Sequence, residues 1–102
     1  MKKKYLISRR YEDVGSYLRE ARLRQDITQK QVADLLGYSS LQFISNFERG
    51  ISLPPTSKLK ILIKLFKLNA AEVVEIVQAS EKRLLESKLG IKLSKADKMK
   101  VG

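Results

Sequence analysis

Cysteine and histidine are both absent from this chain of 102 residues. Disulfides and the usual zinc sites are therefore excluded, and so is catalysis by a Cys or His nucleophile–base pair. Acids are scarce as well, 11 against 21 Lys and Arg. They are mostly spread over helix surfaces with no nucleophile–base or metal constellation among them, so no enzyme, no cofactor and no metal site is expected. Long apolar runs are missing, and no stretch approaches the roughly 20 residues of a membrane span. The opening MKKKYLI carries the charge of a signal n-region. Its apolar run ends at Ser8 before Arg9-Arg10, short of the roughly 7 to 15 residues an h-region needs, so the expected location is the cytoplasm.

What is abundant is positive charge: the net charge is +10 and the pI about 10.0, which suits a polyanion. Residues 1 to 24 hold eight Lys/Arg against three acids, residues 25 to 77 six against five, and residues 78 to 102 seven against three. The middle of the chain is nearly neutral and both ends are basic, so the ends are expected to supply much of any salt-sensitive phosphate attraction.

The neutral middle contains the most informative stretch, TQKQVADLLGYSSLQFISNFERG from Thr28 to Gly50. Thr28 and Gln31 have capping-box spacing, which predicts a helix beginning at Gln29 with Val32, Leu35 and Leu36 on one face. Ala33 lies where a larger side chain would hold two helices apart, and Gly37 is a stop. Ser39 and Ser40 are both candidate N-caps for a second helix with Leu41, Ile44 and Phe47 at helical spacing and Gly50 as its stop. The opposite face of that helix carries Gln42, Ser45, Asn46 and Arg49 as one polar stripe. Two short amphipathic helices around a tight turn make a helix-turn-helix.

The stretch resembles the helix-turn-helix of the lambda-repressor-like family, the Cro and phage-repressor type also called the xenobiotic-response-element family of bacterial regulators. The residues that carry the resemblance are Leu18 to Arg22 ahead of the motif, Thr28-Gln29 at its opening, Ala33 and Gly37 within it, Ile44-Ser45 in its second helix, and Glu48-Arg49-Gly50 at its close. Pro54-Pro55 and the apolar rhythm of residues 59 to 77 match the last two helices, so the resemblance covers roughly Val14 to Val77. It implies an all-α, compact five-helix DNA-binding domain. It also implies a partly buried ion pair of Arg22 with Glu48 that fixes the helix pair. One departure is an extra residue among Tyr38 to Gln42. Either the turn is longer, with Ser40 as N-cap, or the helix starts earlier, with Ser39 capping and Gln42 closing a capping box. The first keeps the usual register from Leu41 onward and is preferred.

Around the motif, residues 1 to 10 read as a basic arm, with Tyr5, Leu6 and Ile7 as candidates for tacking onto the core. A first helix is expected to run from Glu12 and Asp13 to about Gln25 with Val14, Leu18 and Ala21 inward. Helix four is expected over about 57 to 67, with Leu59, Leu62, Ile63 and Phe66 inward and Lys58, Lys60, Lys64 and Lys67 in water. Helix five starts at a cap by Asn69 with Glu72, and its pattern continues through Leu84, Leu85 and Leu89 to Gly90. The division is therefore 1–10 arm, 11–77 DNA-binding domain, and 78–102 C-terminal helical extension and basic tail. The extension is expected to pack on a partner subunit, the alternative being a solvated tail, and the Lys-rich segment 91 to 102 to be disordered.

The expected function is sequence-specific regulation of transcription by a homodimer on double-stranded DNA, with helix three, about 41 to 49, in the major groove. Gln42, Ser45 and Asn46, with Ser40 and Leu41 next, are the candidate base readers, because Gln and Asn pair bidentately with adenine and an apolar Leu meets a thymine methyl. The resemblance favours Gln42, since early residues of that helix touch base edges in the family. Thr28, Gln29, Arg49, Thr56, Ser57 and Lys58 are the candidate phosphate contacts, most of them at helix N-termini. Phe43 and Phe47 are expected in the core. The alternative is an antitoxin-like or other protein-interaction module that binds a protein through residues 78–102 and also its own promoter. RNA binding lacks the aromatic-bearing sheet motif that would read it.

Overall fold

The computed structural model describes residues 10–91, and among them are five α-helices: α1 Glu12–Arg24, α2 Gln29–Leu36, α3 Gln42–Glu48, α4 Thr56–Leu65 and α5 Ala70–Leu89. The segments 1–9 and 92–102, with most of the expected arm and tail, lie outside the described residues. No described helix is long and apolar enough to cross a membrane.

Glu12 and Asp13 occupy the first turn of α1 and Arg22 and Arg24 the last, each sign at the end of the helix dipole it offsets. Val14, Leu18 and Ala21 are buried as expected and meet Val32, Ala33 and Leu36 of α2, Ile44 and Phe47 of α3, and Leu62 and Phe66 beyond. Helices α1 and α3 approach so closely that only glycine fits at position 15. A Cβ there would fall 2.6 Å from the carbonyl oxygen of Phe47 and collide with that of Glu48. Gly50 closes α3 at φ +77, and its carbonyl accepts from the Tyr11 N–H at 3.0 Å, which ties the end of the motif to the start of α1.

The capping box of α2 is present in full. Thr28 Oγ1 accepts from Gln31 N–H at 3.0 Å, and Gln31 Oε1 accepts from Thr28 N–H at 2.8 Å. Gly37 ends the helix in the left-handed region. Leu35, expected on the core face, is 60% exposed. The buried set Val32, Ala33 and Leu36 centres the core face about 100° away from Leu35, at 100° per residue.

The extra residue before α3 lengthens the turn. Ser40 Oγ accepts from Gln42 N–H at 3.0 Å and the Leu41 carbonyl accepts from Ser45 N–H at 3.0 Å, so Ser40 caps and Leu41 begins the first turn. The Gln42 side chain turns to Asn46 instead of closing a box. One apolar expectation fails here. Phe43 is exposed rather than in the core, because Ile44 and Phe47 already fill the space beneath so short a helix, and Leu41 is exposed as well.

Helix α4 covers 56–65 rather than 57–67. It closes with Lys67 at φ +55 and a bond from Leu68 N–H to the Ile63 carbonyl at 2.9 Å, a left-handed stop with no glycine to announce it. Helix α5 starts on Asn69, whose Oδ1 accepts from Glu72 N–H at 3.1 Å, and runs without a break to Gly90. Its second half is neither solely a solvated tail nor free for a partner on every side. Ser80 is fully buried, Arg83 pairs with Asp13 at 2.6 Å, and Tyr11 donates to Glu81 at 3.3 Å, so α5 lies along α1. Tyr17 donates to Glu72 at 2.6 Å on the same seam, where burial and that hydrogen bond push its phenol up to about 12. Tyr11 is raised too, first by burial and then by Glu81.

Candidate nucleic-acid interface

The motif is held from below by charge. Arg22 donates from Nε to Glu48 Oε2 at 2.6 Å and from Nη2 to Oε1 at 3.1 Å, a two-pronged pair in which both side chains are buried. The remaining Arg22 prong donates to the Ile27 carbonyl at 2.7 Å, and Gln29 Nε2 donates to Glu48 Oε1 at 3.0 Å. One carboxylate of α3 is thus gripped by α1 and by the first turn of α2, and no buried side-chain polar atom among the described residues is left without a partner. Such a pair is directional in a way apolar packing is not, so it sets the rotation of α3 about its axis.

With Ile44, Phe47 and Glu48 inward, Gln42, Asn46 and Arg49 face outward on one stripe. Gln42 Nε2 donates to Asn46 Oδ1 at 3.0 Å, which aligns the two amides. The Gln42 oxygen and the Asn46 amino group are left pointing away from the shared bond, one acceptor and one donor side by side. Ser45 is half-buried. Leu41 leaves the stripe and lines an open cleft with Leu23, Ile27, Thr28 and Gln29. The Ser40 hydroxyl is occupied as the cap.

The candidate phosphate contacts divide in the same manner. Thr28, exposed, and Gln29, half-buried, form the start of α2, where first-turn N–H groups have no intrahelical acceptor, although the Gln29 amide is already committed to Glu48. Arg49 is exposed at the end of α3, and Thr56 and Ser57 are exposed at the start of α4. Lys58 differs from its expectation as an outward cation. Its ammonium donates to the Leu36 carbonyl at 2.8 Å, at the negative end of α2, and lies 5.4 Å from the centre of the Tyr38 ring.

Sequence reasoning passed over Tyr38, and it expected in the core the Phe43 that instead faces outward. Their rings stack at 4.5 Å with 12° between planes, and Tyr38 also meets the edge of Phe47 at 6.0 Å. Two aromatics five apart across a turn were the available signal, but which side of α3 they would join depended on the helix's rotation. Residues 18–73, from the middle of α1 to the first turn of α5, match the family model described as helix-turn-helix. No curated protein and no solved structure matches the chain. The matched segment is more than half of the chain and contains the capped turn, the clamped α3 and its polar outer face, so the chain belongs to the helix-turn-helix family of the lambda-repressor-like, xenobiotic-response-element type, a family of DNA-binding transcription regulators.

Proposed function

We propose that the chain occupies a promoter as a sequence-specific homodimer, with α3 in the major groove and Gln42 and Asn46 reading base edges. The observation that carries this reading is the pairing of those two amides on the outer face of a helix clamped from within by Arg22, Glu48 and Gln29. Reading a base edge costs little when the reader is already ordered, since less side-chain freedom is lost on binding. Gln42 and Asn46 together offer acceptor and donor groups suited to adenine, with Ser45 beside them. Thr28, Gln29, Arg49, Thr56 and Ser57 hold phosphates on either side of the groove, four of them through helix N-termini as much as through side chains.

Dimerisation is supported by the outer side of α5. Val74, Leu85 and Leu89 are exposed at positions i, i+11 and i+15, which share one face, and Val74 with Val77, Leu59 and Ile63 lines an apolar groove between α4 and α5. Operator reading by such a dimer requires that two copies paired there around a two-fold axis hold their α3 helices about 34 Å apart, one turn of DNA. The same exposed end of α5, with Leu85, Leu89 and Ile91, supports a second reading in which a different protein docks, as in an antitoxin. Copurification of a stoichiometric second polypeptide selects that reading.

Selection of bound fragments from random double-stranded DNA tests the proposal. A two-fold symmetric site is expected, and Gln42→Ala and Asn46→Ala should each weaken it by about 1 to 3 kcal/mol while leaving random DNA nearly unaffected. Equal losses on both DNAs remove the base-reading role, and the absence of any enriched sequence removes sequence-specific binding.

A further inference from the structure

Phe43 has no place in the core and is 45% exposed on the helix that carries Gln42 and Asn46. Leaving a large aromatic in water forgoes a substantial part of its burial free energy, so an exposed phenylalanine at this position calls for an explanation. Its ring is not loose. One face lies flat on Tyr38, and Tyr38 is itself held by the Phe47 edge and by the Lys58 ammonium, which the Leu36 carbonyl fixes in turn. The part of the Phe43 ring that stays exposed is a flat, apolar, preordered wall. Its neighbours along the helix are Gln42 at i−1 and Asn46 at i+3, so this wall borders the amide pair.

We infer that Phe43, positioned by Tyr38, is a specificity-determining DNA contact that receives the methyl group of a thymine next to the bases read by Gln42 and Asn46. The inference rests on the proposed docking of α3 in the major groove. There the thymine C5 methyl is the single apolar group that any base edge presents, and an aromatic or aliphatic side chain is its complement. Amides alone read donors and acceptors. An apolar wall beside them adds a demand that a cytosine at the same step does not meet.

The test uses the full chain and the site recovered by selection. Each thymidine of one half-site is replaced in turn by deoxyuridine, which removes the methyl and nothing else, and dissociation constants are measured for the wild type, Phe43→Ala and Phe43→Leu. One position is expected at which the wild type loses about fourfold, the worth of one methyl-sized group withdrawn from burial. Phe43→Ala should bind the unmodified site more weakly and be indifferent to the replacement at that position, while Phe43→Leu keeps part of the discrimination. A thermal melt on each variant accompanies the binding, and the coupling between side chain and methyl is a readout that a purely structural role of Phe43 does not move. An enriched site with no methyl-sensitive position, or a Phe43→Ala variant that keeps the wild-type sensitivity, overturns the inference while leaving base reading by α3 intact. Failure to enrich any site overturns both together.

Discussion

Glu48 accepts three hydrogen bonds from two helices, which makes it the residue on which the geometry of the motif most depends. Replacing it by alanine strands a buried guanidinium, and the expected cost is about 3 to 5 kcal/mol, read as a shift in the denaturant midpoint. The double change Arg22→Met with Glu48→Leu should recover most of that loss, because two apolar groups of similar size remove the charge and its desolvation together. An unchanged midpoint for Glu48→Ala contradicts the pair. The gain in orientation is separable from the gain in stability. The double variant should fold well yet bind its site less selectively, since nothing directional then sets the rotation of α3.

Among the elements, the ends of the helices show which stop signals a side chain can announce. Thr28, Asn69, Gly37 and Gly90 sit where capping chemistry predicts, and the helices they bound begin or end there. The α4 end has no such residue. Lys67 takes the left-handed conformation at φ +55, which costs a residue with a Cβ about 1 kcal/mol that glycine does not incur. Lys67→Gly should therefore stabilise the fold by a few tenths to about 1 kcal/mol in chemical denaturation, the gain trimmed by the greater freedom of glycine in the unfolded chain. A destabilisation of that size instead means that the Lys67 side chain makes a contact of comparable worth.

For the whole molecule, α5 divides its apolar residues between two duties. Val73 is buried, Ile76 and Val77 pack on the core, and Ser80 and Arg83 seat the second half of the helix on α1. Val74, Leu85 and Leu89 remain outside, and each leucine left in water forgoes roughly 1.5 to 3 kcal/mol that a partner surface would recover. Truncation after Val77 would remove the contacts of Tyr11 and Asp13 along with the stripe, so substitution separates the two duties better. Leu85→Lys with Leu89→Lys should melt near the wild type, sediment as a monomer at high micromolar concentration and lose preference for a symmetric site over a half-site. A wild type that is itself monomeric at that concentration removes the dimer from the proposal.

Local chemistry was enough to reveal the helix-turn-helix. Capping boxes, glycine stops and apolar spacing are short-range properties, written within a turn or two of where they act, and Thr28 to Gly50 could be read from them. The resemblance added the Arg22 and Glu48 pair, 26 residues apart, which no local pattern implies. What the sequence left open depended on rotation and on competition for space. Leu35, Leu41 and Phe43 each satisfy a helical apolar pattern, yet a helix of seven or eight residues has room beneath it for only two or three side chains, and packing of α2 on α3 and of α3 on α1 chose Val32, Ala33 and Leu36, then Ile44 and Phe47. The path of α5 was undecidable for the same reason: its stripe is long enough to serve α1 and something else, and only tertiary contact shows that Ser80 and Arg83 belong to the first. Short-range hydrogen bonds determine where a helix begins and ends, while the volume left by its neighbours decides which of its apolar residues are covered.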